Sequence, residues 1–149
     1  NHPVCMAFTR QAITVYEKAD KDWKNTVRKG AYIVQEGTKN PDITILATGS
    51  EVEMSLNAAK LVSGKNIRVV SVMDKTLFEK QDESFQKEII GNAKRVVVAE
   101  AGVSFGWEKY VSSKKDLFTI DRFGESGPAA KVAEDLKFTS ADLAKVLKG

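Results

Sequence analysis

Four short segments carry the residues whose types and spacing could do chemistry: Thr48-Gly49-Ser50-Glu51, Met73-Asp74, Glu100-Ala101-Gly102 and Asp121-Arg122-Phe123-Gly124. In the first, a glycine and two hydroxyls stand where the apolar run "ITILAT" gives way to the helical pattern "EVEMSLNAAKLV". A strand-to-helix turn brings free backbone N–H groups and the positive helix end to one point, a setting for phosphate or carboxylate. One helix N-terminus contributes about 0.3–1 kcal/mol to anion binding, up to about 2 when partly buried. Even millimolar affinity requires about 4 kcal/mol. An anion or nucleotide held at Gly49 and Ser50 as a regulator would therefore need a cation too, and Arg122 is the nearest by topology. The plainer role for Thr48 or Ser50 is to cap the helix. Glu100 ends the most apolar run of the chain, where a bare carboxylate is costly. It is either a catalytic base, with Glu51 as its acidic neighbour, or a lock on the turn that follows, accepting N–H groups from Ala101 to Val103. No nucleophile or metal-ligand set accompanies the two glutamates.

These segments require a scaffold, and the pattern supplies one. "AYIV", "ITILAT", "IRVVSV", "RVVVAE" and "LFTID" read as strands, the middle three nearly continuous apolar runs of the kind covered by helices on both faces. Between the second and third, Val52, Leu56, Ala59 and Val62 recur at helical spacing, and Gly64 ends the helix. Strand and helix alternating implies parallel strands and right-handed crossovers. "AYIV" lacks a helix before the next strand and is expected at an edge, antiparallel. The fold class is thus α/β, a three-layer αβα sandwich with a five-stranded, mostly parallel sheet and one antiparallel edge strand. In such a sheet ligands collect outside the carboxyl ends of the strands, where the four segments lie. Further along, Gly127-Pro128 puts proline in the first turn of a helix with Ala129, Val132, Ala133 and Leu136 on one face. Thr139 and Asp142 form a capping box for a last helix from Ser140, with Phe138 and Leu143 as a hydrophobic staple.

Other features have bland readings. Trp107, Tyr110 and Val111 share a helical face with Val103 and suit packing. "SSKKD", Ser112 to Asp116, reads as an exposed turn, and His2, the lone histidine, as a tail residue without triad context. No Walker A or dinucleotide glycine motif occurs. With 42% hydrophobic residues in 149, the chain can bury one substantial core. Its 23 basic and 20 acidic residues are interspersed, a solvated surface rather than a nucleic-acid footprint. No run approaches the roughly 18–20 apolar residues that span a bilayer, so no membrane partner is expected. A single cysteine, Cys5, permits no internal disulfide and fits a reducing, cytoplasmic setting. The chain starts at Asn1 rather than methionine, as expected of a processed product or a piece of something longer. Residues 1–29 fall outside the α/β rhythm: "VCMAFTRQ" reads as a strand of its own, and "EKADKDWKNTVRKG" as a charged connector with a short helix carrying Trp23 and Val27.

Taken together and in order, "DITILATGSEVEMSLNAAKLV", "IRVVSVMDKTLFEKQDESF", "VVVAEAGVSFGWEKYV" and "DRFGESGPAAKVAEDLKF" resemble the C-terminal domain of transketolases. The opening "NHPVCMAFTRQ" resembles the last strand of the middle, pyrimidine-binding domain of that family. The resemblance implies residues 1–12 as that strand, 13–29 as a linker and 30–149 as the C-terminal domain. It further implies a homodimeric enzyme that uses thiamine diphosphate and Mg²⁺ or Ca²⁺ to move a two-carbon ketol unit from a ketose phosphate to an aldose phosphate in the pentose phosphate pathway. The family's cofactor, metal and proton-handling residues lie upstream, so this chain by itself is expected to be inactive, to bind no cofactor and to support the dimer. One active-site residue carries over: Arg10 in "TRQ" matches the family arginine that binds the substrate's terminal phosphate, a task that suits a guanidinium fork. Asp74 stands where the family often has proline, Glu108 where histidine is common and Gly127 where alanine is usual. Deoxyxylulose-phosphate synthase and the β subunits of 2-oxoacid dehydrogenases share this domain, but "FGW.KY" and "FGESGP" favour transketolase.

Overall fold

Strands form where β-branched residues run on: β1 (Ala31–Gln35), β2 (Ile43–Ala47), β3 (Ile67–Val72), β4 (Arg95–Glu100) and β5 (Leu117–Thr119). The computed structural model describes residue 3, residues 5–9 and residues 12–149. Its helices are α1 (Trp23–Thr26), α2 (Glu51–Lys60), α3 (Lys75–Glu79), α4 (Glu83–Ile90), α5 (Ala129–Asp135) and α6 (Ser140–Lys148), with short 3₁₀ turns at Val27–Lys29, Glu108–Tyr110 and Lys114–Asp116. The sheet runs β1-β3-β2-β4-β5. β2, β3, β4 and β5 are parallel, and β1 joins β3 antiparallel at the edge, as the pattern implies.

Successive side chains alternate between two cores. Tyr32, Ile43, Ile45, Ile67, Val69, Val97 and Ala99 pack with α2 and α6 on one face. Ile33, Leu46, Val70, Val72 and Val98 meet Phe78 of α3, Phe85 and Ile89 of α4, and Trp107 on the other. The α3–α4 interval is built from two aspartate caps. The Asp74 carboxylate accepts from the Leu77 N–H and that of Asp82 from the Phe85 N–H, both at 2.8 Å. Asp74 thus starts a helix.

Two buried polar residues face each other within the apolar strands: Thr44 of β2 pairs with Arg68 of β3. Both are buried and both serve the end of α4. The Arg68 guanidinium donates to the carbonyls of Glu88 (2.7 Å) and Ile89 (3.1 Å), and the Thr44 hydroxyl to that of Ile90 (2.7 Å). Last-turn carbonyls that would otherwise be orphaned are satisfied, with a cation at the negative helix end.

Gly30 is required where β1 leaves the connector. Its φ is +99°, and a Cβ there would lie 2.4 Å from both the Asp74 carbonyl oxygen and the Phe78 nitrogen. The close approach lets the Gly30 carbonyl accept from Met73 and Asp74 N–H groups.

Several expectations are corrected. Residues 5–9, expected to belong to the sheet of a preceding domain, add no strand to the sheet of this chain, while Val4, Arg10 and Gln11 of "VCMAFTRQ", like His2, lie outside the described residues. A strand needs an open edge, and the outer edge of β1 is taken: Ala19 N–H donates to Val34 O (2.9 Å) and Asp20 N–H to Ile33 O (3.2 Å). The connector therefore lies against the body, with Trp23 tilted against Tyr32 at 6.1 Å. α2 ends at Lys60, earlier than Gly64, and β5 stops at Thr119. Pro128 is the cap of α5, with extended ψ of 128°, rather than a first-turn residue, and α5 buries no residue. The turn at 112–116 is not simply exposed. Asp116 is buried and holds Arg95 at 2.6 Å, while Arg95 also donates to the Val146 carbonyl of α6. Thr139 does cap α6, its hydroxyl oxygen accepting from Asp142 N–H at 3.2 Å, but Asp142 answers to the Thr139 hydroxyl at 2.6 Å, so the box closes through side chains. Phe138 stacks on Phe118 at 4.6 Å.

Candidate functional site

The parallel registers of β2 and β4 set Ala47 opposite Ala99, so the next residues, Thr48 and Glu100, stand side by side where the strands end. The Thr48 hydroxyl donates to Glu100 Oε2 at 2.8 Å, and the Gly102 N–H to Glu100 Oε1 at 2.9 Å. Glu100 therefore locks the following turn, as one of its two readings holds. Gly49 takes φ +45° and turns the chain into α2, a left-handed conformation that an L side chain adopts at a cost. The expected hydroxyl cap is absent. Ser50 occupies the cap position in helical conformation, makes no side-chain cap bond, and donates to Glu51 Oε1 at 2.8 Å. The first helical residue bonds instead through backbone, Glu51 N–H to Thr48 O at 2.9 Å.

Glu51 is only 9% exposed. Burial holds its carboxyl above the ordinary value, and the charge of Glu100 pushes the same way, against the lowering effect of the Ser50 hydroxyl and the Ala101 N–H. The expected acid pair exists, but it is a clasp. Its oxygens are occupied by donors from the 48–51 and 100–102 turns. Among the described residues no group of three or more histidine, cysteine or acidic side chains could hold a metal ion.

Arg122, expected to supply the cation, is exposed and paired with Glu125 at 2.6 Å. Neighbouring Asp121 accepts from the Ser104 N–H (2.7 Å) and the Ser104 and Thr119 hydroxyls (2.9 and 2.6 Å). The Thr119 hydroxyl foremost, then Ser104, hold its carboxyl below the ordinary value. The turn after β4 is also tied to β5 through Ile120 N–H and Gly102 O at 3.0 Å. Glu108 accepts from Gly106 N–H at 2.7 Å. Trp107 is buried against Tyr110, with ring centroids 5.8 Å apart, in a 3₁₀ turn rather than a helix, and Val103 faces outward, 58% exposed. The structure thus brings Gly49, Ser50 and Glu100 together as a hydrogen-bonded clasp, while Arg122 is engaged with Glu125. Arg10 lies outside the described residues.

Sequence reasoning missed the Ser104–Asp121 tie and the polar cavity at the other end of the sheet. That cavity, about 500 Å³, is lined by Arg68, Lys39, Lys87, Glu36 and Glu88 among others. Its cations and carboxylates nearly offset each other, and Arg68 is engaged by Glu36 at 2.6 Å and by the α4 carbonyls. The only advance signal was an arginine within an apolar strand.

Residues 30–139 match the family model described as the transketolase-like TK C-terminal domain. The chain belongs to this transketolase domain family. It is 47% identical over 146 residues to the transketolase of Treponema pallidum (strain Nichols), covering 97% of this chain and 22% of that protein. It is 42% identical over 149 residues to a probable transketolase of Streptococcus pneumoniae serotype 4, covering 98% of this chain and 22% of that protein. A solved mutant transketolase from Pichia stipitis superposes with a TM-score of 0.81 at 30% identity, over 93% of this chain and 20% of that one. The chain thus spans about a fifth of the length of the transketolases it matches. The α/β sandwich with an antiparallel edge strand is the transketolase C-terminal fold.

Proposed function

We propose that this chain serves as the C-terminal domain of a complete transketolase, which carries a two-carbon ketol unit from a ketose phosphate to an aldose phosphate in the pentose phosphate pathway. The observation that carries the reading is the family match over residues 30–139 together with 47% identity to a transketolase along 97% of the chain. The neighbouring reading as a domain of deoxyxylulose-phosphate synthase or a 2-oxoacid dehydrogenase is not favoured by these relatives. Thiamine diphosphate and Mg²⁺ or Ca²⁺ would be held by other parts of the polypeptide. Thiamine diphosphate supplies the carbanion chemistry when bound. This chain's contributions are structural, and through Arg10 they extend to the terminal phosphate of the sugar. Solved Pichia stipitis transketolase complexes with sedoheptulose and xylulose phosphates support sugar phosphates as ligands. The working form is a cytoplasmic homodimer, with residues 1–12 closing the preceding domain, 13–29 linking and 30–149 forming this one.

The 149-residue chain alone is inactive in this proposal, a reading supported by a split-gene transketolase solved as an inactive beta4 tetramer, 25% identical with a TM-score of 0.59. A coupled ketol-transfer assay with thiamine diphosphate and Mg²⁺ tests it. The intact polypeptide turns over and the isolated chain does not; turnover by the isolated chain would overturn the reading.

A further inference from the structure

The loops at the carboxyl ends of β3, β4 and β5 expose four large apolar side chains: Met73 (60%), Val103 (58%), Phe105 (84%) and Phe123 (96%). Exposed apolar residues scattered singly need no explanation, but a cluster at one end of a sheet marks an interaction surface. Hydrogen bonds join these loops into one ledge. Lys75, two residues beyond Met73, donates to the Phe105 carbonyl at 3.4 Å. Ser104, beside Phe105, is bound twice by Asp121, two residues before Phe123. The Glu100 clasp fixes the same turn to the start of α2. Such a surface is held in place before any partner arrives, so little ordering entropy opposes docking.

The amino-terminal stretch reaches this end of the sheet as well. A Cβ on Gly49 would lie 3.8 Å from the Thr9 methyl. Just before Thr9, Met6 and Phe8 are 70% and 82% exposed. A longer polypeptide preceding this stretch would be joined to the chain through residues that meet the body at this end of the sheet, and covalent linkage would raise its effective concentration there. The matched transketolases are about five times longer than this chain, so there is ample polypeptide to cover it.

We propose that the ledge of Met73, Val103, Phe105 and Phe123 is the docking surface for the preceding part of the same transketolase polypeptide. The proposal rests on the reading of this chain as one domain of a longer transketolase. It assigns the carboxyl-end loops to contact between domains rather than to a small ligand.

The test uses the intact transketolase polypeptide with Cys5→Ser as background and single substitutions Phe105→Cys, Phe123→Cys and, as control, Leu61→Cys, which lies at the far end of α2 and is 52% exposed. Maleimide labelling is read on each peptide by mass spectrometry. The expected result is labelling at 105 and 123 slower than at 61 by about ten-fold or more, unchanged on dilution to the monomer. Labelling as fast as at 61 would overturn the proposal. So would protection that disappears on dilution, which would identify a second copy as the occupant. Diazirine footprinting of Phe105 and Phe123 in the unsubstituted polypeptide gives the same comparison should a variant fold poorly. Ketol transfer measured on the same preparation separates the two readings, since loss of turnover bears on the proposed function and labelling on the docking surface.

Discussion

Arg68, buried near the amino end of β3, holds Glu36 at 2.6 Å through Nη2 while its Nη1 closes the last turn of α4. The two partners are unequal: the arginine side chain is 5% exposed and the glutamate 51%. Removing the arginine strands two helix carbonyls, whereas removing the glutamate's charge leaves a partner that water can reach. Arg68→Ala should cost about 3 kcal/mol, in the range for breaking a buried pair. Glu36→Gln should cost about 1 kcal/mol or less. Urea unfolding of both variants checks the ratio, and equal losses would count against the unequal roles.

At Gly30 both the positive φ and the 2.4 Å approach to backbone atoms forbid a side chain. Gly30→Ala should destabilise by at least about 2 kcal/mol, since the left-handed conformation alone costs about 1–2 kcal/mol. Gly64, also at positive φ but with open space around it, should lose only about 1 kcal/mol as alanine. Thermal or urea denaturation of the two variants makes the comparison.

The clasp has its own pH signature. Because the folded state holds Glu51 above its ordinary value, this group favours folding fully below the ordinary carboxylate range, and that advantage is lost as pH rises through the raised value. Glu51→Gln removes the titration. The variant should therefore gain stability relative to the native chain as pH rises from the ordinary carboxylate range through the raised value, and keep a constant difference above it. Urea midpoints across the range read it directly, and a difference independent of pH would contradict the burial of a titrating carboxyl.

Arg10 makes a prediction about turnover. In the intact enzyme, Arg10→Ala should raise KM for phosphorylated sugars by roughly 10- to 100-fold, matching the loss of one or two charge-assisted hydrogen bonds, with little effect on unphosphorylated analogues. Steady-state kinetics on both substrate classes decide it; an equal loss on both would remove Arg10 from the phosphate site.

The sheet was legible because its three central strands are long β-branched runs, and the antiparallel edge because no helix separates Val34 from Ile43. The hydroxyl cap expected at Gly49-Ser50 failed for a reason no local pattern carries. Glu51 is buried beside Glu100 through strand register, and Ser50 turns to it instead of to the helix end. Arg122 lay near the site by topology, but Glu125, three residues on, claims it first. Asp116 looked like part of a solvated turn because its partner, Arg95, sits 21 residues away on another strand. Asp74 and Asp82 were readable as helix caps but are overshadowed by the strands around them.

The connector's hold on β1 has a consequence for the molecule in solution. β1 carries an extra residue, Val34, between Ile33 and Gln35 in its register with β3, and the Val34 carbonyl is taken by Ala19. At the opposite edge, β5 spans only Leu117–Thr119. A bulge under a strap on one side and a stub on the other leave little for a foreign strand to zip onto. If the strap at Ala19 and Asp20 is peeled away, β1 becomes a template for aggregation; residues outside the α/β sandwich thus keep the sandwich from polymerising.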